Sequence, residues 1–98
     1  MTNPSVIPNR TSTMKLSELN DAERRDLILE ALTSLSDRYA AIYSKRNGLF
    51  DGIPWTYEAI GNEQGCTRQM IHKIVKKADA QFRIAFELVL QKRGITPQ

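Results

Sequence analysis

The sequence predicts an all-α protein, a small helical domain with a helix-turn-helix and a long C-terminal helix. Three observations carry that prediction. Four residues that favour helix N-termini, Asn20, Ser36, Thr56 and Thr67, each precede apolar residues at helical spacing. Glycines stand where three of these helices must stop, at Gly48, Gly65 and Gly94. The last apolar pattern runs without a breaker from Arg68 to about Arg93, a helix of roughly 25 residues.

Residues 1–14, MTNPSVIPNRTSTM, carry two prolines and small polar residues without periodicity, and are expected to form a mobile arm. The folded domain is expected over 15–95. Its first helix starts at Asn20, where Glu23 completes a capping box, and Ile28, Ala31, Leu32 and Leu35 recur at helical spacing. Ser36 caps the second helix, whose Tyr39, Ile42 and Tyr43 line one face up to a left-handed stop at Gly48. Thr56 caps a third, short helix. Trp55 before it and Ile60 within it are spaced for a hydrophobic staple, and Cys66 and Ile71 repeat the device around Thr67. Between the two, Gly65 reverses the chain with a positive backbone angle, placing a helix-turn-helix at about 56–78.

The second helix of that unit has two faces. Ile71, Ile74, Val75 and Ala78 form the inward stripe, while Arg68, Gln69, His72, Lys73 and Lys76 project on the other side. These residue types suit DNA reading at the N-terminal end of a recognition helix. Arg can bond guanine bidentately and Gln adenine, and lysines further along neutralise phosphate. The candidate DNA-binding residues are therefore Thr67, Arg68, Gln69, His72, Lys73, Lys76 and Lys77.

Bulk properties frame the reading. The chain of 98 residues, 41% hydrophobic, suffices for one small domain with one core. The formal charge is only +3 but unevenly placed. From Ser17 to Asp37 six acids face Arg24 and Arg25, a net of −4, whereas from Thr67 to Arg83 five bases face Asp79 alone, a net of +4. That asymmetry points one basic face at a polyanion. A single cysteine, Cys66, forms no internal disulfide, and no CxxC or Cys/His cluster has metal-ligand spacing. No metal or other cofactor is expected, the setting is expected to be cytoplasmic, and neither a signal peptide nor a membrane span is seen. No nucleophile, base and orienting group stand in a recognisable arrangement, so an enzyme is not expected. Cys66, Trp55 and Tyr57 read as core or staple residues.

TYEAIGNEQGCTRQMIHKIVKKADAQFR resembles region 4 of bacterial sigma-70 factors, with its T-L-E-E-I-G, a turn, V-[ST]-R-E-R-I-R-Q-I and a following E-x-K-A-L-x-K-L-R. Thr56, Glu58, Ile60, Gly61, Thr67, Arg68, Ile71, Ile74, Lys77, Ala78 and Arg83 match the family pattern without a gap. Upstream, LSDRYAAIYSKRNGL is similar to L-x-x-R-x-x-x-I-x-x-x-R-x-G-L, so the resemblance covers about residues 32–83. It implies that Arg68, Gln69, His72 and Lys73 occupy the positions that contact the −35 element. Gln69 stands where the family has Glu, which implies adenine in place of cytosine, and His72 and Lys73 replace Arg and Gln. Gln64 occupies a position that is commonly apolar in the family.

A complete sigma factor is not expected, because nothing in the chain supplies the region that melts the −10 element. Beyond the resemblance, Phe82, Ile84, Ala85, Phe86, Leu88, Val89 and Leu90 make the last helix apolar nearly all round. That surplus predicts a homodimer through the C-terminal helix. The expected function is a stand-alone, sequence-specific transcription regulator acting on double-stranded DNA, of the kind carried by a phage or mobile element. Two alternatives stay open: a module that mimics region 4 and binds RNA polymerase or sigma factor, and a DNA-binding packaging or replication accessory protein.

Overall fold

Each capping side chain closes its own helix. Asn20 Oδ1 accepts from the Glu23 amide (2.8 Å) while the Glu23 carboxylate accepts from the Asn20 amide (2.9 Å), the two halves of a capping box. Ser36 accepts from Tyr39, Thr56 from Ala59 and Thr67 from Met70, at 3.0–3.1 Å. The computed structural model, which describes residues 14–97, accordingly contains four α-helices: α1 (Asp21–Leu32), α2 (Asp37–Asn47), α3 (Tyr57–Gln64) and α4 (Arg68–Arg93). α2, α3 and α4 end on glycines in the left-handed region, Gly48, Gly65 and Gly94. α1 has no such stop. Its last turn tightens into short-range bonds, Ser34 to Ala31 (3.1 Å) and Leu35 to Leu32 (3.0 Å), so Leu35 lies outside the helix yet remains buried.

α4 is the spine of the fold, and three apolar clusters sit along it. Nearest its N-terminus, Ile42, Ile60, Ile71 and Ile74 join α2, α3 and α4, with Trp55, Tyr57 and Cys66 packed against them. In the middle, Leu32, Leu35 and Tyr43 close over Ala78. Toward its C-terminus, Leu19, Leu27 and Ala31 pack on Ala85, Val89 and Leu90. The inward stripe Ile71, Ile74, Val75 and Ala78 is buried or half-buried as its spacing requires.

The expected mobile arm falls on residues 1–13, outside the described residues, with one exception. Met14 belongs to a two-residue strand, β1 (Met14–Lys15), that pairs in parallel with β2 (Ile95–Thr96). The pairing ties the start of the domain to the residues just past α4. Leu16 and Ile95 are thereby laid against the third cluster.

Of the seven apolar residues that crowd the end of α4, most turn inward. Ala85, Val89 and Leu90 are buried and Phe82 and Phe86 half-buried, whereas Ile84 (63% exposed) and Leu88 (59%) face out. α1 and the strand pair take up what the composition alone left over. A two-residue apolar patch, one helical turn long, remains. No helix of the described residues is long and apolar enough to cross a membrane.

Candidate nucleic-acid interface

The geometry of the helix-turn-helix is set from both ends of α3. At its start, Trp55 donates its amide to the Lys45 carbonyl (2.9 Å) and accepts at its own carbonyl from Arg46 Nη1 (3.0 Å). Trp55 is therefore bonded on both sides to the last turn of α2. Lys45 also pairs with Glu63 and lies over the Trp55 ring (5.1 Å), joining α2 to the far end of α3. At the end of α3, Gly65 adopts φ +70°, and the Cys66 amide reaches back to the Gly61 carbonyl (2.9 Å). This return brings backbone against backbone. A β-carbon on Gly61 would lie 2.6 Å from the Cys66 carbonyl oxygen, so the tight turn needs glycine inside α3 as well as after it. Cys66 is half-buried behind the turn and its sulfur accepts from Arg38 Nη2 (3.0 Å). Gln64 is half-buried too, with its side-chain amide on Glu63 (3.3 Å).

That frame presents the first turns of α4. Thr67, Arg68, Gln69, His72, Lys73, Lys76 and Lys77 are all exposed, and among the described residues none of the four bases in the set forms an ion pair. All but Thr67 divide between two recesses. Arg68, Gln69 and His72 surround one with Tyr57 of α3, while Lys73, Lys76 and Lys77 line the other with Tyr39, Met70 and Ile74. Lys77 is turned about 100° round the helix from Lys76, onto the side of Met70. It stands apart from Arg68 and Gln69. The Thr67 hydroxyl oxygen already accepts the Met70 amide, which makes it first a cap.

The other helices sharpen the point. α1, α2 and α3 each carry an acid in the first turn, Asp21 and Glu23, Asp37, and Glu58, where a negative charge favours the helix dipole by about 0.3–1 kcal/mol. α4 carries none. Its unpaired amides and Arg68 leave that end positive, as an anion-binding helix terminus requires.

Further along the same helix the bases are engaged. Arg83 Nε and Tyr43 Oη both donate to the Asp79 carboxylate, each at 2.8 Å. Arg83 first and Tyr43 second hold the Asp79 carboxyl below its usual range, while burial and then the bond to Asp79 push the Tyr43 phenol up. Lys92 (2.8 Å) and Arg93 pair with Glu30 of α1, which lowers the Glu30 carboxyl in turn. The basic stretch counted from Thr67 to Arg83 thus shrinks, as free charge, to Arg68 through Lys77.

Two residues join the candidate site that the sequence left elsewhere. Tyr57 packs half-buried against the core as expected, and its ring also meets the His72 ring at 4.9 Å between centroids. Arg46 of α2 covers Tyr57, its guanidinium carbon 4.3 Å from the ring centre. A tyrosine at the first position of α3, where the sigma pattern has leucine, was the available signal. Nearby, Phe50 (54% exposed) and Ile53 (66%) stand out on the loop between α2 and α3. Among known proteins, no family model matches the chain, and no solved structure matches it.

Proposed function

We infer that the chain is a sequence-specific DNA-binding transcription regulator that reads a duplex with the first two turns of α4. One observation supports this most: three bases, Arg68, Lys73 and Lys76, sit exposed and unpaired around Gln69 and His72, with Lys77 on the side of Met70, on a helix whose first turn has no acid. Arg68, Gln69 and His72 are the base readers, the first two suited to guanine and adenine, and Lys73 and Lys76 contact phosphate. The likeness of residues 32–83 to sigma region 4 directs this reading toward transcription. Selection of bound duplexes from a random pool at near-physiological salt tests it, since phosphate attraction alone enriches nothing. Enrichment of a defined element is the expected result. Recovery of unselected sequence would remove the base-reading role.

A second reading, a module docking on RNA polymerase or sigma factor, draws on a different observation. Phe50 and Ile53 place apolar surface beside the helix-turn-helix, where DNA contact would not call for it. Binding to purified polymerase that survives Arg68→Ala but fails in Phe50→Ser would favour this reading. Self-association through the C-terminal helix would use Ile84 and Leu88, and a homodimer of this kind would double the chain mass in light scattering.

A further inference from the structure

We propose that Tyr57 is a positioning residue for base recognition, holding the His72 ring in a fixed orientation while Arg46 secures the Tyr57 ring. The inference rests on the DNA-reading function proposed for α4. Three groups from three helices form the arrangement. The Arg46 guanidinium lies 4.3 Å from the centre of the Tyr57 ring, and the Tyr57 and His72 centroids are 4.9 Å apart at an interplanar angle of 52°. Arg46 is itself held by its bond to the Trp55 carbonyl (3.0 Å). Tyr57 is anchored below by the isoleucine cluster of α2, α3 and α4.

An exposed side chain on a helix surface samples several rotamers, and ordering it on binding weakens discrimination. His72 differs from its neighbours in this respect. Arg68 and Gln69 line the same recess, but among the described residues neither has a side-chain hydrogen bond or stacking partner. Only His72 of the three is given a defined plane before DNA arrives. The tilted contact of two rings suits aromatic packing, and the cation over the Tyr57 ring adds attraction that holds the ring in place. Selectivity thereby depends on α2, a helix outside the helix-turn-helix.

The test compares Tyr57→Leu, which keeps an apolar side chain against the isoleucine cluster, with Tyr57→Phe, which keeps the ring. The base pair read by His72 is first mapped with His72→Ala on the selected duplex. With Tyr57→Leu, discrimination at that base pair should fall roughly threefold to tenfold, the cost of ordering one free side chain. Discrimination at the Arg68 and Gln69 base pairs and the salt slope should hold, and Tyr57→Phe should behave as the parent. In the free protein the His72 ring-proton resonances should move in Tyr57→Leu and not in Tyr57→Phe. Unchanged discrimination at the His72 base pair, or an equal loss at every base pair, overturns the positioning role. A protein that selects no duplex fails earlier, at the DNA-reading function itself, and the proposal falls with it.

Discussion

The two halves of α4 carry similar numbers of basic residues, four and three, and do opposite things with them. In residues 68–78 the bases Arg68, Lys73, Lys76 and Lys77 reach solvent unpaired, over a core made with α2 and α3. In residues 79–93 the bases Arg83, Lys92 and Arg93 are tied to Asp79 and Glu30, over a core made with α1. A run of positive charge therefore stays free only where the fold supplies no acid. Here α1, acidic and packed on the far half, neutralises one end and leaves the other free.

Stability offers the largest test of that division. Ile71 is completely buried under the unpaired basic face, and Ile71→Ala should cost about 2–5 kcal/mol, whereas Ile84→Ala on the exposed side of the far half should stay within about 0.5 kcal/mol. Thermal melts would separate them by roughly 10 °C or more. Equal melting temperatures would mean that the two halves are not packed as described. Gly61→Ala belongs beside Ile71→Ala with a smaller loss, about 1–3 kcal/mol, because its new β-carbon meets the Cys66 carbonyl. Gly65→Ala, with open space around it, should lose only the strain of its positive φ.

Binding sharpens the comparison at the next level. Arg68→Ala should lose about 1–3 kcal/mol on the selected duplex and relax its base preference, while Lys76→Ala should weaken all duplexes alike and lower the salt slope by about one. Arg83→Ala removes the same charge from the paired half and should change neither. A salt slope altered by Arg83→Ala would extend the DNA footprint past Asp79 and break the contrast.

The smallest effect is expected from pH. The partners of Glu30 and Asp79 depress both carboxyls from their ordinary values of 4.5 and 3.8. A carboxyl lowered in the folded state contributes stability above its ordinary value and loses it as pH falls through the depressed one. Melting temperature should therefore drop on acidification below about pH 4.5, and less steeply in Glu30→Gln. These groups are partly exposed, so the slope is modest and weakens with salt. DNA affinity at low salt should not follow the Glu30 substitution, since Glu30 lies against the other half of the helix.

What could be read from the chain alone is what involves residues a few positions apart. The caps at Asn20, Ser36, Thr56 and Thr67 each use an amide three residues on, and the left-handed stops at Gly48, Gly65 and Gly94 depend on one backbone angle. Hence the helices, the tight turn and the exposed polar stripe of α4 were legible, because propensity and periodicity are local. The pairing of Met14 with Ile95, of Glu30 with Lys92, of Arg46 with Tyr57 and of Tyr57 with His72 was not. Each joins positions that only packing brings together, and nothing near Leu27 in the chain reveals that it packs on Ala85 and Val89. The sequence by itself determined which segments are helices and which face of α4 is basic. The tertiary structure alone decided which of those bases stay unpaired, since neutralisation depends on which acid the fold carries within a few ångströms.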